Sequence, residues 1–160
     1  MKRNPAFTLQ SFTAIVDTRE QDPFPMGEIP YEKGTLCTGD YSVKGLEKFI
    51  RVERKSLQDL VMCVARERER FEREIIRLKG FQHKAVIVEA TWAEIHAQKW
   101  RGRVPVKAVT SSIARWILDG IPFILAGPRP YSAEMCQRLL YLSSKEFYNL
   151  NRAFTLTGEK

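Results

Sequence analysis

The chain has 160 residues, 44% of them hydrophobic, which is the size of one domain and enough apolar content for a single packed core. Lys and Arg outnumber Asp and Glu by 26 to 19, a formal charge of +7 with a pI near 9.5, and a surface of that sign favours polyanions, nucleic acid first among them. Three scattered cysteines (Cys37, Cys63, Cys136) exclude a zinc ribbon and a disulfide framework, and no run of about 18 apolar residues or apolar leader supports membrane spanning or secretion, so the expectation is a soluble cytoplasmic protein.

The first strand signal is "TAIVDT" (13–18), and "GTLCTGDYSV" (34–43) reads as a second. It leads through "KGLEK", with Gly45 in the turn, into "FIRVERKS" (49–56), a hairpin. A helix begins near Ser56. From Leu60 a 3.6-residue period puts Leu60, Val64, Phe71, Ile75 and Leu78 on one stripe and Arg66, Arg70, Arg73 and Arg77 on the opposite one. "HKAVIVEA" (83–90) reads as a buried strand, and "TWAEIHAQK" as a short helix capped by Thr91. After the basic loop "KWRGRVP", Val109, Ile113, Trp116 and Ile117 mark a helix that stops at Asp119-Gly120. "IPFILAG" follows as another strand, and Ser132 is placed to cap a last helix to about Tyr148 with Met135, Leu139 and Leu142 inward. Strands alternating with helices, without internal repeat or linker, predict one α/β layered domain.

Glu53 and Lys55 alternate at the end of a strand, so they project from one face about 6 to 7 Å apart while Ile50 and Val52 face the core. In a simple hairpin, positions 40 and 53 fall opposite each other, bringing the Asp40 and Glu53 carboxylates within about 5 Å. Such a pair calls for a compensating cation, and its hard oxygens suit Mg²⁺ or Mn²⁺. Oxygen ligands with an ammonium beside them are what metal-assisted phosphodiester hydrolysis requires; a solvated ion pair at a sheet edge is the plainer alternative.

Three charged clusters end apolar strands: "VDTRE" with Asp17, Arg19 and Glu20, "TGDY" with Asp40, and "VERKSLQD" with Glu53, Arg54, Lys55 and Asp59. Together they resemble the V-D-x-R-E, G-D-Y, E-R-K-x-x-x-D signature of XPF-type structure-specific DNA endonucleases, with every position filled. The match is well supported over about residues 13 to 90; the remainder is similar in pattern only. The resemblance implies the restriction-endonuclease-like fold of the PD-(D/E)XK superfamily, a central mixed β-sheet flanked by α-helices, with Mg²⁺ or Mn²⁺ as cofactor. It implies Asp40 and Glu53 as metal ligands, with the Val52 carbonyl as a further oxygen, and Lys55 orienting the attacking water. Asp17, Arg19, Glu20, Arg54 and Asp59 fill motif positions that support those groups. Ser56-x-x-Asp59 is equally a capping box, and Arg19 with Glu20 an internal ion pair.

For DNA contact the sequence offers Arg66 and Arg70 on the arginine stripe, which otherwise reads as a salt-bridged solvent face, and the acid-free loop carrying Lys99, Arg101, Arg103 and Lys107. Trp100 is placed either to stack on a base or in the core, Trp92 and Trp116 read as core, and His83 and His96 are isolated. The expected partner is branched or junction-containing DNA, bound by a single nuclease domain spanning residues 1–160 without a helix-hairpin-helix module and associated with the nucleoid. A homodimer or partner subunit is expected through the last helix. The rival readings are a non-catalytic DNA-binding or scaffolding subunit and a sequence-specific restriction-type nuclease.

Overall fold

The computed structural model describes residues 6–157, with side chains to residue 155. After a single 3₁₀ turn at Leu9–Ser11 the elements are β1 (Ala14–Asp17), β2 (Tyr31–Gly34), β3 (Tyr41–Val43), β4 (Ile50–Ser56), α1 (Leu57–Val64), α2 (Arg68–Lys79), β5 (His83–Glu89), α3 (Trp92–His96), α4 (Val106–Leu118), β6 (Phe123–Leu125) and α5 (Arg129–Thr157). The six strands form one sheet in the order β2-β1-β3-β4-β5-β6. β3 runs antiparallel to both its neighbours, and the other pairs are parallel, so the sheet is mixed.

Alternation along the strands sorts the two faces. Val16, Tyr41, Val52 and Ile87 pack with Ala133, Cys136 and Leu140 of α5 on one side. Val86 and Val88 pack with Leu60, Phe71, Ile75, Ile113 and Trp116 of α1, α2 and α4 on the other. β5 is apolar on both faces because it lies inside the sheet with helices over each side. No helix among the described residues is long and apolar enough to cross a membrane.

Four expectations change. The strand read over 34–43 is two strands with a loop between them: β2 ends at Gly34, β3 begins at Tyr41, and Gly39 in that loop adopts φ +73°. β2 itself carries only exposed or half-buried side chains, so its sequence shows no buried alternation, and it is recruited by parallel pairing to β1. The long helix expected after Ser56 is α1 and α2, separated at Ala65, whose ψ of −107° is non-helical. Its apolar period survives because both helices bury their stripe in the same core. α5 starts at Arg129, and Ser132 lies within it, donating its hydroxyl to the Gly127 carbonyl (3.0 Å). Its inner face is the stripe Ala133, Cys136, Leu140 and Ser144, buried against the sheet, with Met135 and Leu139 at the margin and Leu142 exposed. Trp116 is core as expected, but Trp92 and Ile117 face outward, Trp92 lying edge-on to His96.

Candidate active site

The site is organised by the backbone around Asp40. Its N–H donates to the Val52 carbonyl (2.9 Å), extending the Tyr41↔Val52 pairing of β3 with β4 so that Asp40 falls opposite Glu53. Its carbonyl accepts from Asp17 N–H (2.8 Å) on β1, and its Oδ2 accepts from Arg54 N–H (2.7 Å). β1 and β4 therefore fix the Asp40 backbone, and the Arg54 N–H orients its carboxylate. The Val52 carbonyl, expected as a metal oxygen, accepts from the Asp40 N–H and sets the register, with a second lone pair left over.

Glu53 and Lys55 share the α1/α2 side of β4, with Lys55 Nζ 2.6 Å from Glu53 Oε1. Asp17 lies on the same side of β1, accepting from Arg19 N–H (2.9 Å), Arg19 Nε (2.7 Å) and Leu36 N–H (2.7 Å), while Arg19 Nη2 donates to the Leu36 carbonyl (2.6 Å). Asp17 and Arg19 thus latch the loop that carries residues 35–39 into the cleft. The cleft measures about 340 Å³ and is lined by Asp17, Arg19, Thr38, Asp40, Glu53 and Lys55 from the sheet and its loops and by Arg70, Glu74 and Arg77 from α2.

Four acids and four bases line the cleft, and burial perturbs them unequally. Burial, and then repulsion from Glu53, push the Asp40 carboxyl up to about 8, against the opposing hydrogen bond from Arg54 N–H. Burial likewise raises Glu53, although Lys55 opposes it. Burial alone would pull Lys55 down, but its carboxylate neighbours outweigh it and hold the ammonium above the ordinary lysine range. Asp17 goes the other way, since the Arg19 and Leu36 hydrogen bonds overcome its burial and keep its carboxyl below the usual range.

The remaining motif residues separate by strand face. Arg54 points to the α5 side, where it pairs with Glu89, Glu20 (3.4 Å) and Asp22 (3.6 Å); Arg129 joins Asp22 (2.9 Å) and Glu89 (3.5 Å). Both guanidinium groups lie 5.4 Å from the Phe24 ring, so this cluster ties β4, β5, α5 and the 20–24 loop together. Glu20 belongs to it, at a strand end where its charge adds to the repulsion on Asp40 and Glu53. Arg54 therefore enters the cleft only through its backbone N–H. Ser56 caps α1, its Oγ accepting from Asp59 N–H (3.1 Å) and donating to Asp59 Oδ2 (2.6 Å) in the first turn.

Of the basic residues, Arg70 lines the cleft but pairs with Glu67 (2.6 Å), and Arg66 is exposed in the break between α1 and α2. Lys99, Arg101, Arg103 and Lys107 are exposed on or beside a loop held to the first turn of α1 by Arg101 N–H donating to Gln58 Oε1 (3.0 Å), just beyond Lys55. Trp100 turns inward, its Nε1 donating to Val104 (3.2 Å) and its ring packed on the core.

The sequence did not single out Thr38, Glu74, Arg77 or Arg51 as site residues. Arg77 lines the cleft without an ion pair among the described residues, and Glu74 sits in a Glu/Arg run that reads as a solvent face. Arg51 is only 2% exposed, its guanidinium 4.6 Å over the Phe81 ring and its Nη2 donating to the Glu47 carbonyl (2.6 Å). It props the loop: a Cβ on Gly39 would come within 2.6 Å of Arg51 Cδ.

The donors in the cleft are hard oxygens, and Thr38 Oγ1 and Glu74 Oε2 are buried there without a hydrogen-bond partner. Two elevated carboxylates and spare oxygens fit a hard dication better than a soft one. Among the described residues no three Asp, Glu, His or Cys side chains converge on one point, so an ion here would keep much of its water, as Mg²⁺ does.

The family model described as the ERCC4 domain matches residues 16–139. The chain belongs to the ERCC4 domain family. This ERCC4 domain superposes on XPF from Aeropyrum pernix in complex with DNA with a TM-score of 0.67 and 25% identity, over 84% of this chain and 66% of that one. It superposes on another structure of XPF from Aeropyrum pernix with a TM-score of 0.66 and 25% identity, over 82% of this chain and 61% of that one. The chain thus spans slightly less than two thirds of the XPF chains it matches. No curated protein sequence matches it. The resemblance read from the three charged clusters is confirmed, and so is the mixed sheet flanked by helices that it implied.

Proposed function

We propose that this ERCC4 domain is a divalent-metal-dependent DNA endonuclease that hydrolyses phosphodiester bonds in branched or junction-containing DNA. The observation that carries the reading is the half-buried Asp40 opposite the buried Glu53 with Lys55 against it, an oxygen-lined cleft in a protein of charge +7. Asp40 and Glu53 hold Mg²⁺ or Mn²⁺, which when bound polarises the scissile phosphate and lowers the pKa of its water. Lys55 holds the attacking water and offers its ammonium to the phosphate oxygens. Asp17, Arg19 and the Arg54 N–H keep Asp40 and the 35–39 loop in place, Glu20 and Arg54 brace the strand ends, and Asp59 with Ser56 starts the helix behind Lys55.

Around the cleft, Arg70 and Arg77 on α2, Arg66 at its approach, and Lys99, Arg101, Arg103 and Lys107 on the loop beside α1 supply phosphate contacts along the duplex arms. The XPF solved with DNA supports DNA as the partner. An enzyme of this class works in the cytoplasm on the nucleoid.

The test is cleavage of labelled flap, splayed-arm and plain duplex DNA with Mg²⁺ or Mn²⁺, by wild type beside Asp40→Asn and Glu53→Gln. Branched substrates are cut by wild type and spared by both variants. Undiminished cutting by the variants removes the site, and binding without cleavage of any substrate makes the chain a scaffolding module. A second copy or a partner subunit pairs across α5, where Tyr131 and Leu142 stand exposed; a monomer mass by light scattering at working concentration overturns this for the homodimer.

A further inference from the structure

Lys55 has two carboxylates within reach, and only one of them has another task. Its Nζ lies 2.6 Å from Glu53 Oε1 and 3.8 Å from Glu74 Oε2. Glu53 cannot keep that short ion pair and also turn its oxygens to a dication, because the ammonium and the ion compete for the same lone pairs and repel each other. An ammonium left without an anion in this buried position is costly and would swing out of the cleft.

Glu74 is placed to prevent that. It projects from α2 between Arg70 and Arg77, across the cleft from β4. Its neighbours Glu67 and Glu72 are paired with Arg70 and Arg68 at 2.6 and 3.1 Å, yet among the described residues Glu74 forms no ion pair with an arginine, and its Oε2 is buried without a hydrogen bond. A buried carboxylate oxygen with no donor is costly and calls for a role. The Phe71 ring, 5.0 Å from Nζ, offers the ammonium a favourable surface beside this path.

We propose that Glu74 is the alternate acceptor for Lys55. When Glu53 engages the cation, Lys55 transfers its ion pair to Glu74 and stays in the cleft, charged and beside the water. Glu74 is then a positioning residue, acting on the reaction through Lys55 and on cation affinity by releasing Glu53. This rests on the nuclease reading above.

The experiment measures Mn²⁺ binding to the full chain without DNA, by titration calorimetry, for wild type, Glu74→Gln, Lys55→Met and the double variant, with kcat and KM on flap DNA for wild type, Glu74→Gln and Glu74→Asp. Glu74→Gln leaves Lys55 clamped on Glu53 and weakens Mn²⁺ binding about tenfold, in the range for a ligand's supporting partner. Lys55→Met in that background restores the binding, since no ammonium then competes for Glu53. On DNA, Glu74→Gln lowers kcat with KM unchanged, and Glu74→Asp, which keeps the charge, recovers part of it. Glu74→Gln with wild-type Mn²⁺ affinity and kcat overturns the proposal. So does a double variant that binds as weakly as Glu74→Gln, which would make Glu74 a ligand or a structural support. Wild type binding no Mn²⁺ in a manner dependent on Asp40 and Glu53 overturns the nuclease reading as well, and is distinct from either result.

Discussion

Replacing Asp40 by Asn stabilises the metal-free protein, by an amount that grows with pH. Asp40 rises from an ordinary 3.8 to about 8 on folding, because burial and Glu53 both oppose its charge. Between those values the native state holds a proton that the unfolded chain has lost, so stability falls as pH climbs, by about 1.4 kcal/mol per unit. From 3.8 to pH 7 is roughly three units, which amounts to about 4 kcal/mol lost at pH 7 and no further loss above about pH 8. The proton belongs to the Asp40–Glu53 pair, and asparagine removes one of the two charges that share it. Asn also keeps an oxygen for the Arg54 N–H, so the backbone lock on β4 survives. Urea denaturation in EDTA at half-unit steps from pH 4 to 8.5 reads the difference: the two proteins begin close together near pH 4 and diverge, the wild type falling faster. Adding Mn²⁺ at pH 7.5 recovers the wild type and leaves the variant unchanged. Parallel stability curves, or a variant less stable than wild type at pH 8, would refute the claim that these carboxylates are held together against their repulsion.

Arg77→Ala weakens binding of flap DNA and lowers the slope of log K against log salt by about 0.9, as expected for one lost phosphate contact, because Arg77 lines the cleft with no ion pair among the described residues. Fluorescence anisotropy in Ca²⁺ at several salt concentrations checks it, and an unchanged slope removes Arg77 from the DNA path. Gly39→Ala costs about 2 kcal/mol, since an alanine at φ +73° is strained and its Cβ would lie 2.6 Å from Arg51 Cδ on a side chain too buried to step aside. An unshifted urea midpoint would show that Arg51 does not prop the loop.

What was legible in the chain follows from period two along a strand. Glu53 and Lys55 had to share a face, and the hairpin around Gly45 set Asp40 opposite Glu53, so the placement of these three side chains in the candidate cleft follows from the sequence. Arg54 was legible as a motif residue but not in its role: the same alternation that puts Glu53 in the cleft turns Arg54 to the α5 side, where Glu89 and Glu20, 35 and 34 residues away in sequence, await it. Arg51 shares the face of Glu53 and would read as another cleft cation, yet Gly39 and Phe81 cover it and convert it to a prop. Glu74 illustrates the limit most sharply. In "RERFEREIIRLK" every glutamate has an arginine three or four residues away, and local rules pair them all. Where α2 begins after the break at Ala65 decides which glutamate faces β4 instead, and that phase depends on how Phe71 and Ile75 seat in the core rather than on the charges themselves. A strand's own sequence thus declares what it carries into a cleft, while the helix laid over it determines what those groups meet, and the second is a packing result that no local period encodes.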